Sequence, residues 1–132
     1  MAKHVSGSER RTSRRVDAQL ALQLSGHEQG AKTLLAESLN ISTGGVYCLV
    51  KHEVPVLTVL KLSIQLPKFG ANKSTQIINC EGVVVRCAKS PRSTGGTVRY
   101  DLACAFQNMD EEASGMVNEF VLWKLLSGGT SR

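Results

Sequence analysis

Residues 16 to 24 read VDAQLALQL, and apolar side chains occupy every second position of this stretch. The apolar positions are Val16, Ala18, Leu20, Leu22 and Leu24. A period of two is typical of a β-strand with one face in a hydrophobic core, because successive side chains point to opposite faces of a sheet. We therefore predict a half-buried strand over the whole stretch.

Five later stretches carry strand-like patterns and are separated by polar or glycine-containing loops such as SGHEQG and KSPRSTGGT. They are residues 31–39, 46–50, 56–67, 76–88 and 98–108. Six strands with short connections favour a closed barrel or a sandwich, since closure removes exposed strand edges. We predict an all-β fold, specifically a small six-stranded antiparallel β-barrel.

The periodicity becomes helical only near the end of the chain. Asp110 is placed to cap a helix, and Glu111 and Glu112 complement the positive end of its dipole. The apolar residues that recur at helical spacing are Met116, Val117, Phe120, Val121 and Leu125. We predict one C-terminal α-helix over 110–126 that packs on the barrel and closes one opening. In the alternative interpretation, Leu122 and Trp123 form a surface for a partner.

The chain has 132 residues, of which 42% are hydrophobic, and this suits a single domain. Its apolar runs are shorter than the roughly 20 residues that span a bilayer, and no apolar signal segment follows the basic N-terminus. We expect a cytoplasmic protein without membrane insertion. The predicted parts are a flexible tail (1–8), a domain (9–126) made of an arginine arm (9–15), barrel (16–108) and helix (110–126), and a frayed tail (127–132).

The four cysteines lie in apolar-patterned segments, without Cys-x-x-Cys spacing or histidines at zinc-ligand spacing. We expect free thiols and no metal site. The acidic residues form no pair within one predicted element that suits acid–base catalysis, and the sequence has no glycine-rich phosphate loop with a lysine. We therefore expect neither catalysis nor a cofactor.

Four arginines stand together in ERRTSRRV, residues 9 to 16, directly before the first predicted strand. The formal net charge is +5, so both a solvated basic tail and a clamp for an anionic partner agree with this composition. The spacing Arg-x-x-x-Arg occurs twice, as Arg11 with Arg15 and as Arg10 with Arg14.

A second motif, NISTGG, occupies residues 40 to 45 between the second and third predicted strands. Asn40 and Ser42 offer an amide and a hydroxyl, and Gly45 permits a tight turn or a close approach of a ligand to the backbone. The same residues also have a purely structural interpretation. Asn40 and Ser42 then close a turn, and Gly44 and Gly45 supply positive φ angles.

Taken together, the two motifs resemble the PilZ domain, a receptor module for the bacterial second messenger cyclic di-GMP. In that family R-x-x-x-R leads into the first strand of a six-stranded barrel, and [D/N]-x-S-x-x-G follows the second strand. The resemblance extends from about Glu9 to the terminal helix. The ligand-binding residues it implies are Arg11, Arg15, Asn40, Ser42 and Gly45, with Arg10, Arg14 and Gly44 as further candidates.

Arginine suits this ligand, because its planar fork bonds bidentately to phosphate or to the O6 and N7 edge of guanine, and lysine lacks that geometry. We prefer the pair Arg11 and Arg15, since the second arginine of the family motif usually abuts the strand, here at Val16. In the family, the residue before the motif, here Arg10, bears on whether one nucleotide or a stacked pair binds. The resemblance also implies an arm that is flexible until ligand arrives.

One departure concerns the last strand, where the family's Gly-x-x-Phe is replaced by Ala103-Cys104-Ala105-Phe106. We expect this change to leave the binding motifs untouched. The leading function is a cyclic di-GMP receptor that relays the signal to an unidentified downstream protein. The alternatives are a PilZ-like module that binds protein and no nucleotide, and an oligonucleotide-binding barrel. Aromatic residues make up only 5% of the chain, which argues against binding a nucleic acid polymer.

Overall fold

The computed structural model describes residues 14–26, 32–71, 74–93 and 95–127. The predicted tail 1–8, most of the arm 9–15, and residues 128–132 lie outside the described residues. The elements within them are β1 (Val16–Asp17), β2 (Ala21–Ser25), β3 (Thr33–Ile41), β4 (Gly45–Val50), β5 (Val59–Leu66), β6 (Gln76–Lys89), β7 (Tyr100–Gln107) and α1 (Glu111–Leu126).

The strands close into an antiparallel barrel. The sheet order is β1-β3-β2-β5-β6-β7-β4, and an additional pairing of β3 with β4 completes the ring. β1 and β2 both pair with β3, so they act as two parts of one barrel strand. The predicted all-β class, the six-stranded antiparallel β-barrel and the single C-terminal helix are confirmed.

The first predicted strand is interrupted, and the prediction of one continuous strand over 16–24 was wrong. Asp17 pairs with Asn40 whereas Ala21 pairs with Glu37, so the first strand carries one extra residue between these pairs. The buried Ser38 hydroxyl fills the break: the Leu20 N–H donates to Ser38 Oγ at 2.8 Å, and that hydroxyl donates to the Ala18 carbonyl. These backbone groups therefore stay satisfied although the ladder is broken.

The inward side chains of all the barrel strands meet in one hydrophobic core. The alternation read from residues 16–24 is retained, because Val16, Leu20 and Leu24 are all buried on both sides of the break. Full burial of each such aliphatic side chain stabilises the fold by about 1.5–3 kcal/mol. The core therefore fixes which face of each strand is left for a ligand or a partner.

The predicted strand 56–67 begins only at Val59, because the residues before it form a tight turn. The Thr58 N–H donates to the Pro55 carbonyl at 3.2 Å, and Leu57 has a φ of 78° at the third position of this turn. Glycine is the usual residue there, and a side chain in this region costs about 1–2 kcal/mol. Leu57 is held in place by its N–H, which donates to the Val84 carbonyl at 2.7 Å.

The terminal helix begins as predicted. The Asp110 side chain accepts a hydrogen bond from the Ala113 N–H at 2.8 Å and so caps the helix. α1 packs against β1 and β6, and Phe120 meets the ring of Phe69 edge-on, with ring centroids 5.3 Å apart. Trp123 is partly exposed and lies 5.7 Å from the Phe69 ring, so it packs on the domain as well as facing solvent.

Within the described ranges, no helix is both long and apolar enough to cross a membrane. The same part of the chain contains no group of three or more His, Cys, Asp or Glu side chains placed to hold a metal ion.

Candidate ligand-binding site

The structure brings Arg15 and Asn40 together. Asn40 lies near the end of β3, and β1 pairs antiparallel with this end, so the residue immediately before β1 is delivered beside it. Arg15 Nη1 donates to Asn40 Oδ1 at 3.0 Å, across 25 positions of sequence. One residue of each motif therefore contributes to one polar contact at the surface.

A bulge in β3 turns Asn40 outward. Ser38 pairs with Cys48 and Asn40 pairs with Tyr47, which leaves Leu39 as an extra residue in β3. Without the bulge, Ser38 and Asn40 would share a face, and burial of one would require burial of the other. With it, Ser38 is fully buried while Asn40 reaches Arg15.

Ser42 organises the turn between β3 and β4. Its N–H donates to the Gly45 carbonyl at 2.9 Å, and its Oγ accepts a hydrogen bond from the Gly44 N–H at 3.1 Å. The residue is buried, and its hydroxyl closes the turn as the structural interpretation predicts. A hydroxyl oxygen has a second lone pair, and Ser42 still lines the adjacent cavity.

The two glycines of the motif do not serve as positive-φ residues, so that part of the turn interpretation was wrong. A Cβ at Gly45 would lie 2.3 Å from the Cys104 carbonyl oxygen, so Gly45 is required by the close approach of β4 to β7. A Cβ at Gly44 would meet only the Ser42 Oγ, at 3.9 Å. Gly44, rather than Gly45, has open space on its surface.

A cavity of about 350 Å³ adjoins these residues. The volume falls in the range of small-molecule sites, roughly 300–1,000 Å³. One wall carries the polar motif residues, and the other consists of small and apolar residues of β6 and β7. The lining comprises Arg15, Ser42, Gly44, Gly45, Val46, Val85, Ala103, Cys104 and Ala105.

Sequence reasoning missed Val85, which reaches the cavity because β6 contains a bulge. Val84 pairs with Cys104 and Arg86 with Ala103, so Val85 is the extra residue and its side chain is exposed. In the run of three valines that ends at Val85, a period of two does not reveal where an extra residue falls. No local feature of the sequence signals this bulge.

The departure from the family pattern in the last strand also bears on the site. Ala103 occupies the first position of the family's Gly-x-x-Phe and lines the cavity, so its methyl group adds to the apolar wall. The expectation that this change leaves the binding motifs untouched stays a prediction, although Ala103 lies in the lining of the adjacent cavity. The change places one extra carbon at the surface that a ligand would meet.

The remaining arginines divide between the described and undescribed residues. Arg14 is exposed and does not line the cavity, whereas Arg15 does. Arg10 and Arg11 lie outside the described residues. The two R-x-x-x-R spacings end in Arg14 and in Arg15, and the structure places Arg15 beside Asn40.

The cysteines near the site are poor nucleophiles. All four cysteines are free thiols. Burial raises the pKa of Cys104 to about 11, with smaller contributions from Cys80 and Cys87. Burial likewise raises the pKa of Cys48 far above its ordinary value. Because the thiolate is the reactive form, these buried thiols stay unreactive near neutral pH.

The barrel and its polar-rimmed cavity are the features of a small β-barrel domain with a candidate ligand site. The chain belongs to the PilZ domain family, whose model matches residues 9–123. PilZ domains are receptors for cyclic di-GMP. Comparison of the sequence with curated proteins gives no significant match.

Several solved structures share the fold. The inhibitor of motility MotI (DgrA) from Bacillus subtilis matches with a TM-score of 0.73 and 23% identity, over 89% of this chain and 52% of that one. The PilZ domain of YcgR from Escherichia coli, solved with c-di-GMP, matches with a TM-score of 0.65 and 12% identity, over 89% of this chain and 94% of that one. Apo MrkH from K. pneumonia matches with a TM-score of 0.69 and 16% identity, over 92% of this chain and 53% of that one. At these identities the likeness shows the fold alone, and this chain spans about half the length of MotI and MrkH.

Proposed function

We propose that this chain is a receptor for cyclic di-GMP that passes the signal to a partner protein. The observation that carries the proposal is the contact between Arg15 and Asn40 at the rim of the cavity. It joins the two motifs whose residue types match the ligand. The guanidinium faces solvent, where an incoming anion can reach it.

The chemistry of the cavity fits such a ligand. Cyclic di-GMP carries two phosphodiester charges and two guanines. Phosphate and the guanine edge can both accept paired hydrogen bonds from the planar guanidinium of Arg15. Asn40 adds an amide donor beside it, and Gly44 leaves room for backbone approach. The apolar wall formed by Val85 and Ala103 suits the flat face of a base.

The arm completes the site in this proposal. Arg11 acts as the second clamp, Arg10 contacts a second nucleotide if a stacked pair binds, and Gly45 holds the two strands together below the ligand. Support comes from family membership, and from the solved complexes of the YcgR domain and MrkH with c-di-GMP. A cytoplasmic location, the absence of catalysis and the downstream protein partner belong to the same proposal.

A second candidate function, a protein-binding module without nucleotide, is favoured by two observations. The Ala103 methyl narrows the cavity, and the Ser42 hydroxyl is already engaged by the Gly44 N–H. The first leaves less space for a nucleotide, and the second leaves it one fewer free hydrogen-bonding group. A direct measurement of cyclic di-GMP binding distinguishes the two candidate functions.

Isothermal titration of the full chain with cyclic di-GMP tests the proposal. We expect a Kd for cyclic di-GMP that is micromolar or tighter, which corresponds to a favourable binding free energy of about 8 kcal/mol or more, and much weaker binding of GMP. The matched variant Ala103→Gly, which restores the family residue, should bind at least as well. If neither the wild type nor this variant releases heat at tens of micromolar ligand, the nucleotide proposal fails and the protein-binding module replaces it.

A further inference from the structure

One row of residues crosses the outer face of four neighbouring strands beside the candidate ligand cavity. Asn40 of β3 pairs with Tyr47 of β4, and Tyr47 pairs with Ala103 of β7. Ala103 in turn pairs with Arg86 of β6. Directly paired residues of a sheet point to the same face, and Ala103 lines the cavity. Arg86 therefore stands on the face of the barrel that carries the candidate site.

The bulge in β6 turns Arg86 outward. Val84 is fully buried, and Val85 is the extra residue between the pairs that Val84 and Arg86 make with β7. Under strict alternation Arg86 would share the buried face of Val84. With the bulge, Val85 and Arg86 are both exposed, and Val85 lines the cavity. The bulge in β6 thus directs Arg86 outward as the bulge in β3 directs Asn40, at the opposite end of the same row.

The guanidinium of Arg86 is available to a ligand. The side chain is exposed, and among the residues that the structure describes it has no hydrogen-bond or ion-pair partner. The acidic residue diagonal to it on β7 is Asp101, which pairs with Ala88. Asp101 makes no ion pair with Arg86, and one oxygen of its carboxylate is buried without a hydrogen-bond partner among the described residues. The charge of Arg86 is therefore not neutralised within this part of the chain.

Arg15 and Arg86 stand at the two ends of the row. Arg15 donates to Asn40 on β3, and Arg86 lies three strands further on. Neighbouring strands are about 4.8 Å apart, so the row from Asn40 to Arg86 is about 14 Å long. Tyr47 and Ala103 lie between these ends and contribute an aromatic ring and a methyl group. The site thus has a guanidinium at each end and an uncharged surface between them.

We propose that Arg86 binds one guanine of cyclic di-GMP, at the end of the ligand remote from Arg15. This inference rests on the proposed function and adds a contact to it, since Arg86 lies outside both motifs. The phosphodiesters belong to the central ring of the ligand and the guanines project from that ring, so a guanine is the group that reaches the far end of the row. Its O6 and N7 atoms accept two hydrogen bonds from a planar guanidinium.

Isothermal titration of the full chain with cyclic di-GMP tests this contact. Arg86→Ala should weaken binding at least tenfold, and Arg86→Lys, which keeps the charge, at least threefold. The matched controls are Arg92→Ala and Arg92→Lys, because Arg92 is exposed in the loop between β6 and β7 and does not line the cavity. Both controls should bind as the wild type does. Thermal unfolding checks that all four variants are folded.

The outcomes separate this contact from the proposed function. A wild type that does not bind cyclic di-GMP contradicts the proposed function and the contact with it. A wild type that binds, together with an Arg86→Lys protein of equal affinity, contradicts only the contact, because positive charge alone then suffices. An equal loss in the Arg92 controls contradicts the contact as well.

A ligand analogue tests which group Arg86 meets. In cyclic di-GMP made with 7-deazaguanine, a C–H group replaces N7, so each guanine loses one acceptor while the charge of the ligand is unchanged. We expect the wild type to bind this analogue more weakly than cyclic di-GMP, and the Arg86→Ala protein to lose less affinity by the same exchange. An equal loss in both proteins, or no loss in the wild type, would overturn the guanine contact.

Discussion

The bond between Arg15 and Asn40 links the two motifs through one side chain on each. Arg15→Lys keeps the net charge but removes the planar fork, so affinity for cyclic di-GMP should fall at least tenfold, about 1.4 kcal/mol, in isothermal titration. The control is Arg14→Lys, which changes the neighbouring exposed residue outside the cavity. Equal affinities for wild type and Arg15→Lys would show that the arm acts only as diffuse positive charge, and an equal loss in both variants would show that the effect is not specific to the arginine beside Asn40.

The adjacent glycines allow packing to be separated from binding. Gly45→Ala places a Cβ 2.3 Å from a backbone oxygen of β7, so we expect a loss of about 1–3 kcal/mol in the free energy of unfolding, measured by urea denaturation. Gly44→Ala meets only a side-chain oxygen at 3.9 Å and should leave unfolding nearly unchanged while weakening ligand binding. A reversed pattern would mean that Gly44 supports the fold and Gly45 the ligand.

Among the elements, the strands were predictable from the alternation of apolar residues, whereas the bulges were not. A bulge adds one residue to one strand and changes no composition, so its position depends on the pairing with a neighbouring strand. The extra residues beside Ser38 and at Val85 are of this kind. Asn40 was found from its motif, but its outward direction depends on a bulge that the sequence does not reveal.

The turn before β5 carries a prediction about stability. Leu57 has a φ of 78° and is 75% exposed, so its backbone is strained and its side chain buries little apolar surface. Leu57→Gly should raise the free energy of unfolding by about 1 kcal/mol, because glycine adopts this conformation without strain. Val56→Gly, in the same turn without positive φ, should destabilise slightly. Thermal denaturation compares the two, and destabilisation by Leu57→Gly would show that its side chain contributes packing.

For the whole molecule, the barrel buries thiols that must stay neutral, and this gives stability a dependence on alkaline pH. Burial raises the pKa of Cys104 from 9.0 to about 11 and raises that of Cys48 as well. The unfolded chain loses these protons first, so the contribution is complete below pH 9.0 and is lost as pH rises towards the folded pKa.

Urea denaturation across this interval should show the midpoint falling as pH rises. Cys104→Ala removes one of the raised pKa values, so its midpoint should fall less steeply than that of the wild type. An unchanged slope in this variant would assign the alkaline loss to other groups.

The same barrel gathers the lining of the candidate ligand cavity from strands that are distant in sequence. The polar motifs predicted the ligand side, since guanidinium, amide and hydroxyl groups identify their chemistry by residue type. The apolar wall of the same cavity had no such motif, because Val85 and Ala103, which form it, belong to two separate strands. The chemistry of single side chains was therefore predictable from the sequence. Which residues of different strands form one surface could be known only from the pairing of those strands.

The chain contains a single tryptophan, and α1 holds it against Phe69 and Phe120. An indole shielded in this way emits at shorter wavelength than one in water, so its fluorescence shifts to the red when the helix leaves the barrel. Because α1 also packs on β1, which begins directly after Arg15, we expect the emission of Trp123 to respond to a shift of α1 away from β1. The fold thereby supplies its own optical probe, and the packing of α1 on the barrel can be followed without attaching a dye.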